Sequence, residues 1–108
     1  MTTPASIESM HFEFDGHRRP AAFTPVLVGV VGSGNLEVMV EPASHDRCTV
    51  SIETSARGFQ PIWAAVVRDF HERHPLAGIA VSVNDMGATP AVVSLRLDQA
   101  VAGLKVIA

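Results

Sequence analysis

The sequence is poor in the residues that most functions need. Cys48 is its only cysteine, so no intramolecular disulfide can form and no thiolate cluster can hold zinc. Lys105 is its only lysine, and the arginines are scattered rather than gathered on a stripe, so no basic track awaits a phosphate backbone. The net charge is −3, and the acidic residues form no tail. No apolar run approaches the length that spans a bilayer. Met1 to Met10 lacks a basic region followed by an apolar core, so it does not read as a signal peptide. These absences lead to the expectation of a reduced, cytoplasmic protein with no nucleic-acid partner and no membrane insertion.

The chain has 108 residues, the size of one domain. Hydrophobic residues make up 47% of it, but charged residues only 18%, against about 25% in average proteins. A surface with so little charge hints at a covering partner, although a plain soluble domain would also satisfy the composition.

Met1 to Ser9 has little periodicity and reads as a flexible N-terminal tail, leaving residues 10–108 as one domain. His11 to Asp15 alternates, with Phe12 and Phe14 on one face, as a short strand does. Gly16 to Pro25 reads as a loop. Val26 to Val31 is β-branched and short, which favours a buried strand over a helix. After it comes Gly32-Ser33-Gly34-Asn35, a group that tolerates positive φ. Leu36, Val38 and Val40 then alternate with Glu37 and Met39. The segment from Val26 to Glu41 is therefore predicted to be a β-hairpin with Ser33 at its tip. Arg47 to Thr54 alternates again, with Cys48, Val50 and Ile52 inward. Pro61 to His74 has the helical period, with Pro61 in its first turn and Pro75 as its stop. Ile79 to Val83 reads as a strand.

The last segment supports two patterns. Val92 to Leu97 alternates like a strand, yet Thr89-Pro90 is an N-cap followed by proline at the first helical position. Val93, Leu97, Ala100 or Val101, and Leu104 also recur at helical spacing, and the helix is preferred. The fold expected is α+β: a mostly antiparallel sheet with two helices packed on one face.

Three chemistries can be tested against these residues. Gly29 to Gly34 is glycine-rich, but a period-2 strand follows it where a nucleotide-binding loop needs a helix, and no Lys-Ser or Lys-Thr pair is present. The nucleophile elbow fails as well, because Val31 and Asn35 occupy the outer positions around Ser33 where glycine belongs. His71 and His74 share a helix face but have no third ligand in sequence. They read as solvated residues at a helix C-terminus, where positive charge is favoured. Ser33 remains, a hydroxyl between Gly32 and Gly34. Serine belongs in tight turns anyway. The same arrangement also suits a modified serine, because flanking glycines let a bulky donor approach.

The stretch Val31-Gly-Ser-Gly-Asn-Leu-Glu-Val-Met-Val-Glu-Pro42 resembles the signature of the malonate decarboxylase acyl carrier (delta subunit) family. Asp85-Met-Gly-Ala-Thr-Pro-Ala-Val-Val-Ser-Leu-Arg-Leu-Asp-Gln-Ala100 resembles that family's C-terminal block. Gly58-Phe-Gln-Pro-Ile-Trp63 and Phe12-Glu-Phe14 are also similar, so the resemblance covers nearly all of the chain after Ser9. The citrate lyase acyl carrier (gamma subunit) is a more distant relative. Asn35 departs from the pattern, where aspartate is expected.

The resemblance implies a noncatalytic carrier. It makes Ser33 the covalent attachment point of phosphoribosyl-dephospho-CoA, with Gly32 and Gly34 beside it. The thiol of that group would carry acetyl and malonyl thioesters during conversion of malonate to acetate and CO2. The implied partners are the acyltransferase (malonyl transferase) and decarboxylase subunits, and the holo-carrier synthase that installs the group from a triphosphoribosyl donor. A citrate lyase carrier or a noncatalytic assembly module are the other readings.

Overall fold

The computed structural model describes residues 7–29 and 35–107. Strand β1 covers Glu8–Asp15, β2 Arg19–Pro20, β3 Val26–Val28, β4 Leu36–Pro42 and β5 Arg47–Thr54. Helix α1 covers Gln60–Arg73, strand β6 Ile79–Asp85, helix α2 Pro90–Val101 and strand β7 Val106–Ile107.

Five strands form one sheet in the order β1-β5-β6-β4-β3. Three of its pairings are antiparallel and one, β5 with β6, is parallel. The parallel pair is joined through α1, the crossover that parallel neighbours require. Strand β6 therefore enters between β4 and β5, and becomes the centre of the sheet.

Period-2 alternation sends one side chain set to a single face. In register across the sheet this set includes Phe12, Val50, Val81, Val40 and Val26. Val38, Val40, Cys48, Val50, Ile52, Ile79, Val81 and Val83 are buried there. Trp63, Val67 and Phe70 of α1 and Val93, Leu97, Ala100 and Val101 of α2 close over them. Helix α2 lies across β4 and β3, while α1 lies toward β1. The expected α+β sandwich is the observed architecture.

Both helices follow their local chemistry. Pro90 opens α2, and the Thr89 hydroxyl accepts from the Val92 N–H. That cap decides the segment's second pattern in favour of helix. Helix α1 has proline in its first turn and ends at Arg73, because Pro75 disfavours helical geometry at His74.

Several boundaries differ from the sequence reading. Strand β1 starts at Glu8, so Glu8 and Ser9 pair with Thr54 and Glu53; the segment read as a tail therefore contributes its last two residues to the sheet. Residues 1–6 lie outside the described residues. The loop read over Gly16 to Pro25 contains β2, which pairs with β7 after α2 has ended. Leu104 lies beyond the helix and packs against the core from the chain that follows. Among the described residues no helix is long and apolar enough to cross a membrane.

Candidate functional site

Gly32, Ser33 and Gly34 lie outside the described residues, within 30–34. The frame on both sides of that segment is described. Strands β3 and β4 are antiparallel neighbours, with Val26 opposite Val40 and Val28 opposite Val38. These pairs are symmetric about position 33, the pairing expected of a hairpin over Val26 to Glu41.

Strand β3 stops at Val28, short of the Val31 expected from the apolar run, because Gly29 leaves extended geometry at φ +80°. A methyl group on Gly29 would run into the Leu36 carbonyl oxygen. Asn35, on the other side of the segment, has φ 59°. This is the left-handed region, which asparagine tolerates better than most side chains. Its geometry accounts for a short polar side chain at this position, asparagine or aspartate, and not for the departure from aspartate.

The C-terminal root of the segment is tied to the loop between β6 and α2. The Asn35 carbonyl accepts from the Met86 N–H at 2.8 Å, and Leu36 sits opposite Asp85 in the ladder. Asp85 is buried, with 2% of its surface exposed. One carboxylate oxygen accepts from the Thr54 hydroxyl at 2.8 Å and the other from the Ala88 N–H at 2.8 Å. Thr54, also buried, accepts from the Ala56 N–H at 2.9 Å, and the Ser55 N–H donates to the Asp85 carbonyl at 3.0 Å. One carboxylate thus locks the ends of β5 and β6 to the start of α2.

Both helix N-termini meet this end of the sheet. Between them lies a cavity of about 270 Å³, with walls that include Phe59, Ile62, Trp63, Ala88, Pro90 and Val93. Phe59, Ile62 and Met86 are exposed large apolar residues at the same end.

On the other side of α2, Arg96 lies against Gly29. A Cβ built on Gly29 would be 3.4 Å from the Arg96 Nε and 3.5 Å from its Cδ. The Arg96 Nε is buried and has no hydrogen-bond partner among the described residues. Sequence reasoning singled out neither Arg96 nor Asp85. Asp85 followed by Met86-Gly87 carried the signal of a side chain that accepts from the next turn. Arg96 carried none, because its significance comes from Gly29, across the α2–β3 packing.

The histidines are elsewhere. His17, His45, His71 and His74 sit at the far end of the sheet, beside Pro75 and Arg47 rather than Asn35. His11 bonds Ser51 on the open face. His71 is not the solvated residue that its helix-end position implied. It is 9% exposed, stacks on Phe14 with centroids 4.8 Å apart, and donates from Nε2 to the Asp15 carbonyl at 2.9 Å. His74 meets the Asp98 carboxylate at 3.0 Å, which Arg73 also engages. Among the described residues no group of three or more His, Cys, Asp or Glu is placed to hold a metal ion. Burial holds the Cys48 thiol protonated, pushing its pKa from 9.0 up to about 12.

The chain matches the family described as malonate decarboxylase delta subunit (MdcD) over residues 24–104. It is 70% identical over 99 residues to the malonate decarboxylase acyl carrier protein of Burkholderia cepacia, covering 92% of each chain. The protein of the same name from Acinetobacter calcoaceticus is 48% identical over 102 residues, covering 92% of this chain and 98% of that one. Among solved structures, a chain of the Pseudomonas malonate decarboxylase hetero-tetramer in complex with malonate superposes with a TM-score of 0.74 at 34% identity, over 86% of this chain and 94% of that one. The hairpin frame around position 33, the sheet covered by two helices and these matches lead to one conclusion: the chain belongs to the malonate decarboxylase acyl carrier protein family.

Proposed function

We propose that this chain is the acyl carrier subunit of a malonate decarboxylase complex, and that Ser33 bears its phosphoribosyl-dephospho-CoA arm. The single observation that carries this reading is the family match over residues 24–104, which takes in Ser33 and the whole hairpin frame. The residues present suit such a group: Ser33 supplies the hydroxyl that a phosphodiester needs, and Gly32 and Gly34 put no side chain beside it.

In loading, the Ser33 oxygen bonds to the phosphorus of a triphosphoribosyl donor. Pyrophosphate leaves, and the hydroxyl proton passes to a base on the holo-carrier synthase. The thiol of the group supplies a site for acetyl and malonyl thioesters. Free malonate offers no sink for the electron pair that CO2 leaves behind. Carried as a thioester, the acyl group would have such a sink, and stabilising the developing charge would fall to the decarboxylase subunit.

The carrier's own residues do the rest. The Asp85 network and the Asn35–Met86 bond hold Asn35, the described residue that follows the segment carrying Ser33. Tethering presents the acyl group to each partner at high effective concentration. The partners in this reading are the acyltransferase, which exchanges acetyl for malonate, the decarboxylase subunits, and the synthase, in the cytoplasm. The test is Ser33→Ala assembled with those subunits. The wild-type complex should release CO2 from malonate and the variant none; turnover by the variant would remove Ser33 from the cycle.

A further inference from the structure

We infer that the apolar cavity between the N-termini of α1 and α2 is where a partner subunit docks on this carrier. Its occupant is one large apolar side chain of that subunit, a leucine, methionine or phenylalanine, with a carboxylate beside it. The inference rests on the proposed membership in a decarboxylase complex and adds the surface by which the carrier is held.

The first observation is where apolar surface is exposed. Among the described residues six large apolar side chains are exposed: Leu27, Phe59, Ile62, Met86, Leu95 and Val106. Phe59 and Ile62 line this one cavity, and Met86 stands between Asp85 and Gly87, which line it as well. An apolar side chain exposed singly is ordinary, whereas several gathered round a concavity mark an interaction surface.

The second is the chemistry of the wall. Asp85 is the one charged residue among the described lining residues, and its two carboxylate oxygens already accept from Thr54 and Ala88. Pro61 and Pro90 stand in the first turns of the two helices, and neither has an N–H to offer. A polar metabolite is oriented by a few convergent polar groups, and this wall has none to spare. At about 270 Å³ the cavity is larger than the void of about 150 Å³ that takes up benzene, so it has room for one large side chain.

The third is position and charge. The Met86 N–H bonds the carbonyl of Asn35, so the patch is continuous with the point where the chain returns from the segment carrying Ser33. A subunit that acts on the carried acyl group approaches that end of the carrier. Helix α1 starts without a side-chain cap and without an acidic residue in its first turn, which leaves the positive end of its dipole to a carboxylate from outside. A second copy of the carrier does not fit. Three exposed side chains fall far short of the about 800 Å² per partner that a stable pair buries, and match instead the anchor pocket of a larger interface.

The test uses the full-length, unloaded carrier with 5-fluorotryptophan at Trp63, its sole tryptophan. It is titrated with the purified acyltransferase and decarboxylase subunits, singly and assembled, and followed by fluorine NMR. A second carrier, with a photo-reactive benzophenone amino acid in place of Phe59, is cross-linked to the same subunits and mapped by mass spectrometry. Binding constants are measured for Ile62→Glu, Met86→Glu and, as a control exposed elsewhere, Leu95→Glu. The Trp63 signal should shift when a subunit binds. The cross-link should map to a leucine, methionine or phenylalanine near an Asp or Glu. The two rim variants should each bind about tenfold more weakly or worse, and the control within about twofold of wild type. Thermal melts check folding; if a rim variant melts early, the fluorine and cross-linking results on the native cavity decide.

A Trp63 signal that stays fixed while the carrier is bound overturns the inference, as do rim variants that bind like wild type. Cross-links between two carriers would make the occupant a second copy, and a Trp63 signal that moves on loading of the arm but not on adding subunits would make it the arm; either overturns the inference. If the carrier binds the subunits by another face, only this inference falls. If it binds none of them, the proposed function falls and takes this inference with it.

Discussion

Removing the Asp85 carboxylate should destabilise the fold at the end of the sheet that supports the candidate site. Asp85 accepts two hydrogen bonds, one from the Thr54 hydroxyl and one from the Ala88 N–H. Bonds to a charged acceptor contribute about 1.5–3 kcal/mol each, so Asp85→Ala risks a loss of about 3–6 kcal/mol. Ala88 is only part-buried, so water can replace some of its bond. The expected loss is about 3 kcal/mol, a large share of the about 5–15 kcal/mol that holds a domain folded. Asp85→Asn should cost less, about 1–2 kcal/mol, because its carbonyl still accepts from Ala88 while its amide donates to Thr54.

Urea unfolding followed by the fluorescence of Trp63, the sole tryptophan, reads these losses. With an m-value of about 1–3 kcal/mol/M, Asp85→Ala should lower the midpoint by about 1–3 M. Thr54→Val, combined with Asp85→Asn in a double-mutant cycle, should show a coupling of about 1 kcal/mol or more. Additive losses, or an Asp85→Ala midpoint within error of wild type, would refute the claim that this carboxylate ties β5, β6 and α2 together.

Cys48 gives a pH prediction. Its folded pKa lies above its ordinary value, so folding favours the thiol; stability is intact below about pH 9 and falls between pH 9 and about 12. The slope from this one proton is about 1.4 kcal/mol per pH unit, and it should be missing from the Cys48→Ala protein in alkaline urea titrations. A thiol reagent should label Cys48 at neutral pH only after unfolding; rapid labelling of native protein would contradict its burial. The purified carrier should release no CO2 from malonate or malonyl-CoA, measured with radiolabelled substrate, and release by a pure sample would contradict a carrier role. Co-expressed acyltransferase and decarboxylase subunits should be recovered in a pull-down on the carrier, and recovery of neither would argue for a free-standing module.

The local pieces of the fold were legible because their causes are local. Alternation placed Cys48, Val50 and Ile52 on the buried face, and Thr89-Pro90 marked the start of α2. What alternation cannot convey is which strand lies beside which. Period 2 fixes a strand's face, but the insertion of β6 between β4 and β5 depends on the α1 crossover. Strands β2 and β7 have two residues each, too few to carry any period. His71 is buried by Phe14 and the Asp15 carbonyl, 56 residues away in sequence. The site divides in the same way. The serine between two glycines and the residues that resemble the family were readable in one dimension. Asp85 gains its meaning only where β5, β6 and α2 converge.

The most direct test of the central claim is peptide mapping by mass spectrometry of the carrier purified from its native host, with the genes for group synthesis and transfer intact. The account predicts one added mass, that of the phosphoribosyl-dephospho-CoA group, on the peptide containing Ser33 and on no other. An unmodified carrier from cells actively growing on malonate, or the group mapped to another residue, would contradict it.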